Sequence, residues 1–413
     1  MSINKTAPFD IFKTGCPFAH YVKVPALLKE NPVWGNPGGL KECLPFAAAL
    51  KKERAWAEAW LLSALSGKKE SNRVKINGQA GTISDFFTQG FFSAGFTTAN
   101  FPYASFPFLV KIISAEKPLS IHVHPSEKNF PRTKSEYFLA LEPSQIITGF
   151  VSDKSKNRFM RLLKSGGLNK VTEPEHQLIK DLFIIDTLNP GDILTVANTP
   201  HALLKGTLFE FGNSNNVSLR AFDWDRPTAP GRDINPKEFG KNVASPKASI
   251  EMMNRFRTEN SLRALARQGL KGPGIIPLLY WAPLDAKYPG AGFQEVANSL
   301  HELRIGNGEA IDLGQSMKAL GSVSEETRGL IIGYYFVMGG WAKFSASDGS
   351  LPAKSVTRRQ GEGLLCPPAL EKTKITALAD DTVVLLLERR VDLKRLQKSP
   401  TEFRNLTTIK SKG

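Results

Sequence analysis

Lys117-Pro118-Leu119-Ser120-Ile121-His122-Val123-His124-Pro125, followed closely by Lys134-Ser135-Glu136, decides the fold of this chain. On a β-strand, side chains two residues apart share a face. His122 and His124 therefore project together, roughly 6–7 Å apart at Cα, with Val123 turned away. Glu136 opens the next apolar run, Tyr137-Phe138-Leu139-Ala140-Leu141, which reads as a neighbouring strand. Two imidazoles and a carboxylate on adjacent strands suit zinc, iron or manganese. An isolated His-x-His is as readily a pair of surface residues. This chain holds only six histidines, however, and a third candidate follows in a telling context.

That context is Leu188-Asn189-Pro190-Gly191-Asp192-Ile193-Leu194-Thr195-Val196, leading to Asn198-Thr199-Pro200-His201. A Pro-Gly-Asp turn feeding a strand that ends near a histidine is a recurrent barrel pattern. His201 is the third ligand candidate. Gly206 to Gly212, containing Glu210, and Val217 to Phe222, containing Arg220, read as further strands.

Outward from this centre, short strands are expected at Phe108 to Ile113, Glu136 to Leu141, Ile146 to Phe150 and Phe183 to Ile185. Residues 153–182 read as a helical insert, with His176 on its surface. Residues 40–66 also read as helical, from apolar residues at Leu44, Ala47, Leu50 and Ala55. Residues 235–268 read as mostly helix, broken by Gly272-Pro273. From about residue 276 the chain is again strand-rich, clearest at Gly329 to Val337, Gly361 to Pro368 and Thr382 to Leu387. Its one histidine, His301, has no visible metal partners. Many short strands with Gly/Pro turns predict a sandwich or barrel. The expected organisation is a catalytic unit over 1–240, a helical linker over 241–275 and a second, site-less β unit over 276–413.

The 413 residues suit two or three domains, and the composition is ordinary for a globular protein, 41% hydrophobic and 23% charged. No apolar run approaches a membrane span, and Met1 to Pro8 lacks the apolar core of a signal peptide. Cys16, Cys43 and Cys366 are odd in number and far apart, as expected of reduced thiols in a cytoplasmic protein. The formal charge of +15 could attract nucleic acid or an anionic small substrate. Lys and Arg are scattered, and no nucleic-acid-binding signature is present, so the small anion is expected and nucleic acid is not.

Taken together these motifs resemble the type I phosphomannose isomerases of the cupin superfamily. The family's Lys-Pro-Leu-Ser-Ile-Gln-x-His-Pro stretch stands here as Lys117 to Pro125, and its Lys-x-Glu as Lys134 to Glu136. Its Pro-Gly-Asp to His segment matches Pro190 to His201. Its Glu, Asn-Ser-Asp and Arg-x-x-Asp-x-Asp-Arg segment matches Glu210, Asn213 to Asn215 and Arg220 to Arg226. The match is good over about 105–245 and thin outside it. A Trp-x-Glu-x motif matches Trp56 or Glu58-Ala-Trp60 more loosely. His122 stands where the family usually has Gln, and imidazole is equally able to bind zinc.

The resemblance implies a mainly β protein with helical segments. A cupin, jelly-roll-like barrel would carry catalysis beside a cupin-like second domain. It implies one Zn2+ per chain on His122, His124, Glu136 and His201, and interconversion of mannose 6-phosphate and fructose 6-phosphate through an enediol. Arg220, Glu210 and Lys134 are the implied catalytic residues, and Lys117 and Ser120 the implied substrate contacts. Arg220 could instead form a structural ion pair with Asp223 or Asp225. The expected partner is a small anionic sugar phosphate, with no membrane and a monomeric chain. Two alternatives share the fold: a non-catalytic sugar-phosphate sensor, and an Fe(II) cupin dioxygenase, which three His and a Glu would also suit.

Overall fold

The computed structural model describes residues 22–45, 54–65, 70–76, 78–88, 106, 108–124, 134, 136–196, 198–213, 216–224, 236–281, 296–313, 328–346, 355–366 and 373–392. The first half contains β1 (Val22–Val24), β2 (Leu27–Glu30), α1 (Pro37–Cys43), β3 (Trp56–Leu62), β4 (Arg73–Ile76), β5 (Gln79–Thr82) and α2 (Ile83–Thr88). It continues with β6 (Leu109–Ala115), β7 (Ile121–Val123), β8 (Glu136–Ala140), β9 (Ser144–Phe150), α3 (Asp153–Lys164), α4 (His176–Lys180), β10 (Phe183–Leu188), β11 (Ile193–Thr195), β12 (His201–Gly212) and β13 (Leu219–Phe222).

Ten of these strands form one antiparallel sheet, ordered β10-β9-β12-β6-β3-β2, with β8, β11, β7 and β13 branching from it. The hub is β12. Its first half pairs with β9 and, at His201, with β7; its second half pairs with β6 and β8. The switch occurs at Gly206, which has φ 119. A Cβ there would lie 2.7 Å from the Ser144 backbone, so only glycine lets β9 pass this closely. The same irregularity, with a register shift between Leu203 and Lys205, resets side-chain parity. His201 and Glu210 are an odd number of residues apart and would point to opposite faces of a regular strand. Here both line one cavity.

Residues 40–66 are not one helix. The helix α1 is confined to Pro37–Cys43, started by Asn36, whose side chain accepts from Gly38 N and Gly39 N, with Pro37 in its first turn. Trp56 to Leu62 is instead a strand between β2 and β6. Within it Ala57 and Ala59 are the small, fully buried side of a period-two pattern, whereas Ala47 and Leu50, on which the helical spacing rested, lie outside the described residues. The expected helix over 153–182 is delivered as α3 and α4 with two 3-10 turns between them. Phe159 of α3 packs on Phe150 and Phe183 over the back of β9 and β10.

The second half contains α5 (Pro236–Lys241), α6 (Pro246–Gly269), β14 (Gly274–Trp281), β15 (Val296–Ile305), β16 (Ala310–Asp312), β17 (Arg328–Gly339), β18 (Trp341–Ala346), β19 (Val356–Arg359), β20 (Gly363–Cys366), β21 (Thr373–Ala377) and β22 (Thr382–Asp392). A six-stranded sheet, β1-β20-β17-β22-β15-β14, faces a four-stranded one, β16-β21-β18-β19. Its edge strand β1 comes from the other end of the chain. Tyr335, Val337, Leu364 and Leu386 meet Phe344, Ile375 and Ile311 between the two sheets. The opposite face of the six-stranded sheet, with Tyr334, Phe336, Leu385 and Leu387, shares a core with β6, β8 and β12.

The long helix α6 ties the two sheets together. Ser245 caps it, accepting from Ala248 N. Asn260 bonds both backbone groups of Ile193, and Arg263 Nε donates to Leu278 O at 2.7 Å. Arg267 donates to Gly191 O in the Pro-Gly-Asp turn and pairs with Glu302 of β15. No helix among the described residues is long and apolar enough to cross a membrane. Cys43 and Cys366 are free thiols, and Cys16 lies outside the described residues.

Candidate metal centre and active site

Strands β7, β8 and β12 converge at one end of the first sheet, and there His122, His124, Glu136 and His201 meet. Their candidate donor atoms all lie within 4.8 Å of one another. His122 and His201 are direct cross-strand neighbours, with ring centroids 4.1 Å apart. Each ring is fixed by a backbone carbonyl. His122 Nδ1 lies 2.9 Å from Ser120 O, His124 Nδ1 2.8 Å from Val217 O and His201 Nδ1 2.8 Å from Thr199 O. A carbonyl can only accept, so Nδ1 carries a proton in all three rings and Nε2 is the ring atom turned inward, available to a metal.

The Nε2 atoms turn toward Glu136, whose Oε2 is 2.6 Å from His124 Nε2 and 3.0 Å from His201 Nε2. Burial, and then the neighbouring imidazoles, hold His122 well below the usual histidine range. Burial lowers His124 to about 4. Burial would raise Glu136, but the Lys134 ammonium and the imidazoles outweigh it and keep the carboxylate ionised. Three imidazoles with carbonyl-braced Nδ1 protons, gathered with an anionic carboxylate, fit a divalent transition metal.

The cluster forms part of the wall of a cavity of about 780 Å³. Beside it runs a buried chain of alternating charge. Lys134 Nζ pairs with Glu136 and, at 2.7 Å, with Glu210 Oε1; Lys111 Nζ takes Glu210 Oε2 at 3.1 Å. Burial and the nearby Glu136 push Glu210 up to about 7, against the pull of the two lysines. Burial acts to lower Lys111, but Glu210, Glu58 and Glu136 outweigh it and hold its ammonium above the usual range.

Arg220 also reaches the cavity. Regular alternation would give it the same face as Ser218 and Phe222, but a bulge intervenes. Arg220 pairs with His122, whereas Phe222 pairs with Ile121, adjacent to His122. The extra residue turns Phe222 into the core and leaves Arg220 exposed toward the cavity beside His122. Asp223 lines the cavity and accepts from Ser120 Oγ; Asp225 lies outside the described residues.

Sequence reasoning thus placed His122, His124, Glu136, His201, Lys134, Glu210, Arg220 and Ser120 in residues that the fold brings together. Lys117 is different. It is exposed on the turn before β7 and is not part of the described cavity wall. His176 is half-buried, its ring edge-on to Phe222 and Trp224, rather than a surface residue. Lys111, Glu58 and Asp223 were missed as site residues. The available signal for Lys111 was a charge inside an apolar strand run, Phe108 to Ile113, which a doubly buried strand excludes unless the charge is paired.

Residues 27–150 match the family model for the catalytic domain of type I phosphomannose isomerase. This chain is related to the type I phosphomannose isomerases. A probable mannose-6-phosphate isomerase of Bacillus subtilis is 28% identical over 52% of this chain, which spans 64% of that relative's length. The mannose-6-phosphate isomerase of Salmonella typhimurium is 23% identical over 46% of this chain and 68% of its own. Among solved structures, the Bacillus subtilis mannose 6-phosphate isomerase superposes with a TM-score of 0.59 at 14% identity, covering 89% of this chain and 99% of that one. A mutant of the Salmonella typhimurium phosphomannose isomerase gives 0.55 at 18% identity, over 90% and 99%. At these identities the superpositions establish a shared fold. They extend it beyond the catalytic-domain match into the second half of the chain.

Proposed function

We propose that this chain is a zinc-dependent aldose-ketose isomerase that interconverts mannose 6-phosphate and fructose 6-phosphate. In this reading residues 1–240 form the catalytic unit, joined through the helical 241–275 to a second β unit. The observation that carries it is the Lys111–Glu210–Lys134–Glu136 chain running into a three-histidine centre on one cavity wall. A sensor would need the cavity but not a buried proton carrier poised near neutrality. The mannose-6-phosphate isomerases that this chain resembles support the same substrate.

His122, His124, Glu136 and His201 would hold the metal, which when bound would polarise the sugar's oxygens and stabilise negative charge on them. The remaining chemistry belongs to this chain. Glu210, with a pKa near 7, is suited to take the proton from C2 of the aldose and return one to C1, passing through an enediol. Lys111 and Lys134 hold its two oxygens in place. Arg220 places a permanent cation where oxyanion or phosphate charge sits. Ser120, oriented by Asp223, contacts the sugar, and Lys117, exposed on the turn before β7, attracts the anion.

The test is isomerisation of mannose 6-phosphate in deuterated water by metal-loaded protein, with metal content measured on the same sample. Fructose 6-phosphate formation with solvent deuterium at the transferred position, and about one zinc per chain, is expected. Metal-replete protein that binds mannose 6-phosphate without converting it would establish the sensor instead.

A further inference from the structure

Glu58 and Trp60 lie on β3, next to β6, with Trp60 directly opposite Lys111 and Glu58 opposite Ile113. Cross-strand partners share a face, so Glu58 is a diagonal neighbour of Lys111, within reach of long side chains. Glu58, Lys111 and Ile113 all line the cavity. The Trp60 indole N–H donates to Glu58 Oε2 at 2.6 Å, which fixes the carboxylate. The Trp60 ring lies 5.8 Å from Lys111 Nζ and 4.6 Å from Lys29 Nζ.

Lys111 is nearly inaccessible and its close ion pair is with Glu210. A buried ammonium with one close carboxylate sits in a low-dielectric site, where further compensation and fixed geometry matter. The charged groups around Lys111 are Glu58 on β3, Glu210 on β12, Lys29 across the Trp60 ring on β2, and Lys134 and Glu136 beyond Glu210. Of the carboxylates, Glu136 belongs to the metal cluster and Glu210 is shared with Lys134. Glu58, on the neighbouring strand and in the same cavity wall, is left to hold Lys111 from the other side.

We propose that Glu58, clamped by the Trp60 indole, is a positioning residue that holds the buried Lys111 ammonium in place against Glu210 in the cavity wall. This rests on the isomerase reading. Glu58→Gln keeps the shape and a polar oxygen but removes the charge. It should lower kcat about tenfold and change KM by less than about twofold, with bound metal and Tm unmoved. Trp60→Phe, which keeps the ring but loses the donor, should act in the same direction more weakly, and Glu58→Asp should recover part of the loss.

The deciding comparison is a double-mutant cycle. If Glu58 acts through Lys111, Glu58→Gln should cost nothing further in a Lys111→Met background, and the equally uncharged Lys111→Gln serves if Lys111→Met is unstable. Unchanged kcat in Glu58→Gln, or losses that multiply in the double variant, would overturn the proposal while wild-type activity leaves the isomerase reading standing. An inactive, metal-replete wild type would overturn both.

Discussion

The two halves of this molecule use similar antiparallel β-sheets and fill them differently. Between the two C-terminal sheets the described interior is almost wholly apolar, from Leu303 and Val384 to Phe344 and Ile375. Among its few buried polar groups, His301 Nε2 and Ser299 Oγ bond to each other at 2.9 Å. The first sheet instead encloses three imidazoles, two ammonium groups and two carboxylates, most of them inaccessible. Buried charge of this kind is weak as a stabiliser, because desolvation offsets most of the attraction between partners. The second half buries less of it, Glu302 and Glu388 among its described residues. The comparison therefore teaches that the polar lining of the first sheet is there for chemistry, and that each half should fail in its own way.

The largest effect should follow from breaking the metal cluster. His201→Ala removes one of four donors and its carbonyl-braced ring, and should release most of the bound metal, measured by mass spectrometry, with activity falling by at least about a thousandfold. Full metal occupancy in a His122→Ala/His201→Ala variant would remove these residues from the centre. The matched change in the other half is Phe344→Ala. Phe344 is fully buried against Tyr335, with rings 5.2 Å apart. Its truncation should cost about 3–5 kcal/mol of stability in chemical denaturation. Metal content of the folded fraction should not change; if it does, the two halves are coupled more tightly than their separate interiors suggest.

Arg220 sharpens the same contrast inside the first sheet. Arg220→Lys keeps the charge and loses the planar fork, so kcat should fall on the order of a hundredfold, the scale of losing one oxyanion donor, while metal content and Tm barely move. An unchanged kcat would leave Arg220 as a structural partner of its neighbours.

How much of this was legible in the sequence depended on how local each cause was. His122 and His124 are two apart on one strand, so alternation alone put them on one face. His201 and Glu210 could be named, but not given a common face. Their parity depends on the register shift near Leu203 and on Gly206, both set by pairing with β9 and β6 from elsewhere in the chain. The same holds for Arg220 and Phe222, split by a bulge against β7. Trp56-Ala57-Glu58-Ala59-Trp60 was open to a period-two reading, large and small residues alternating. The apolar spacing upstream favoured helix, and Glu58 stayed hidden as a site residue. Lys111 pointed to its partner only once β6 lay beside β12.

The smallest effect concerns the seam between the halves. β1 adds to the C-terminal sheet by pairing with β20, and Lys23 Nζ meets Glu362 Oε1 at 2.7 Å. Burial would raise the Glu362 pKa. The Lys23 ammonium, the Arg359 backbone N–H at 2.9 Å and the nearby Arg358 outweigh it, so the pKa is lowered. A carboxyl depressed on folding stabilises the native state above its unfolded pKa of about 4.3, and the contribution is lost as pH falls through the lower folded value. Lys23 is more than half exposed, so solvent screening keeps the pair to about 0.2–1 kcal/mol. Glu362→Gln should therefore be slightly less stable than wild type at pH 7 in matched urea titrations. The gap should close progressively below about pH 4.5 and shrink with added salt. A gap that persisted at pH 3 could not come from this ionisation, and would trace the loss instead to the turn that Glu362 closes onto Arg359.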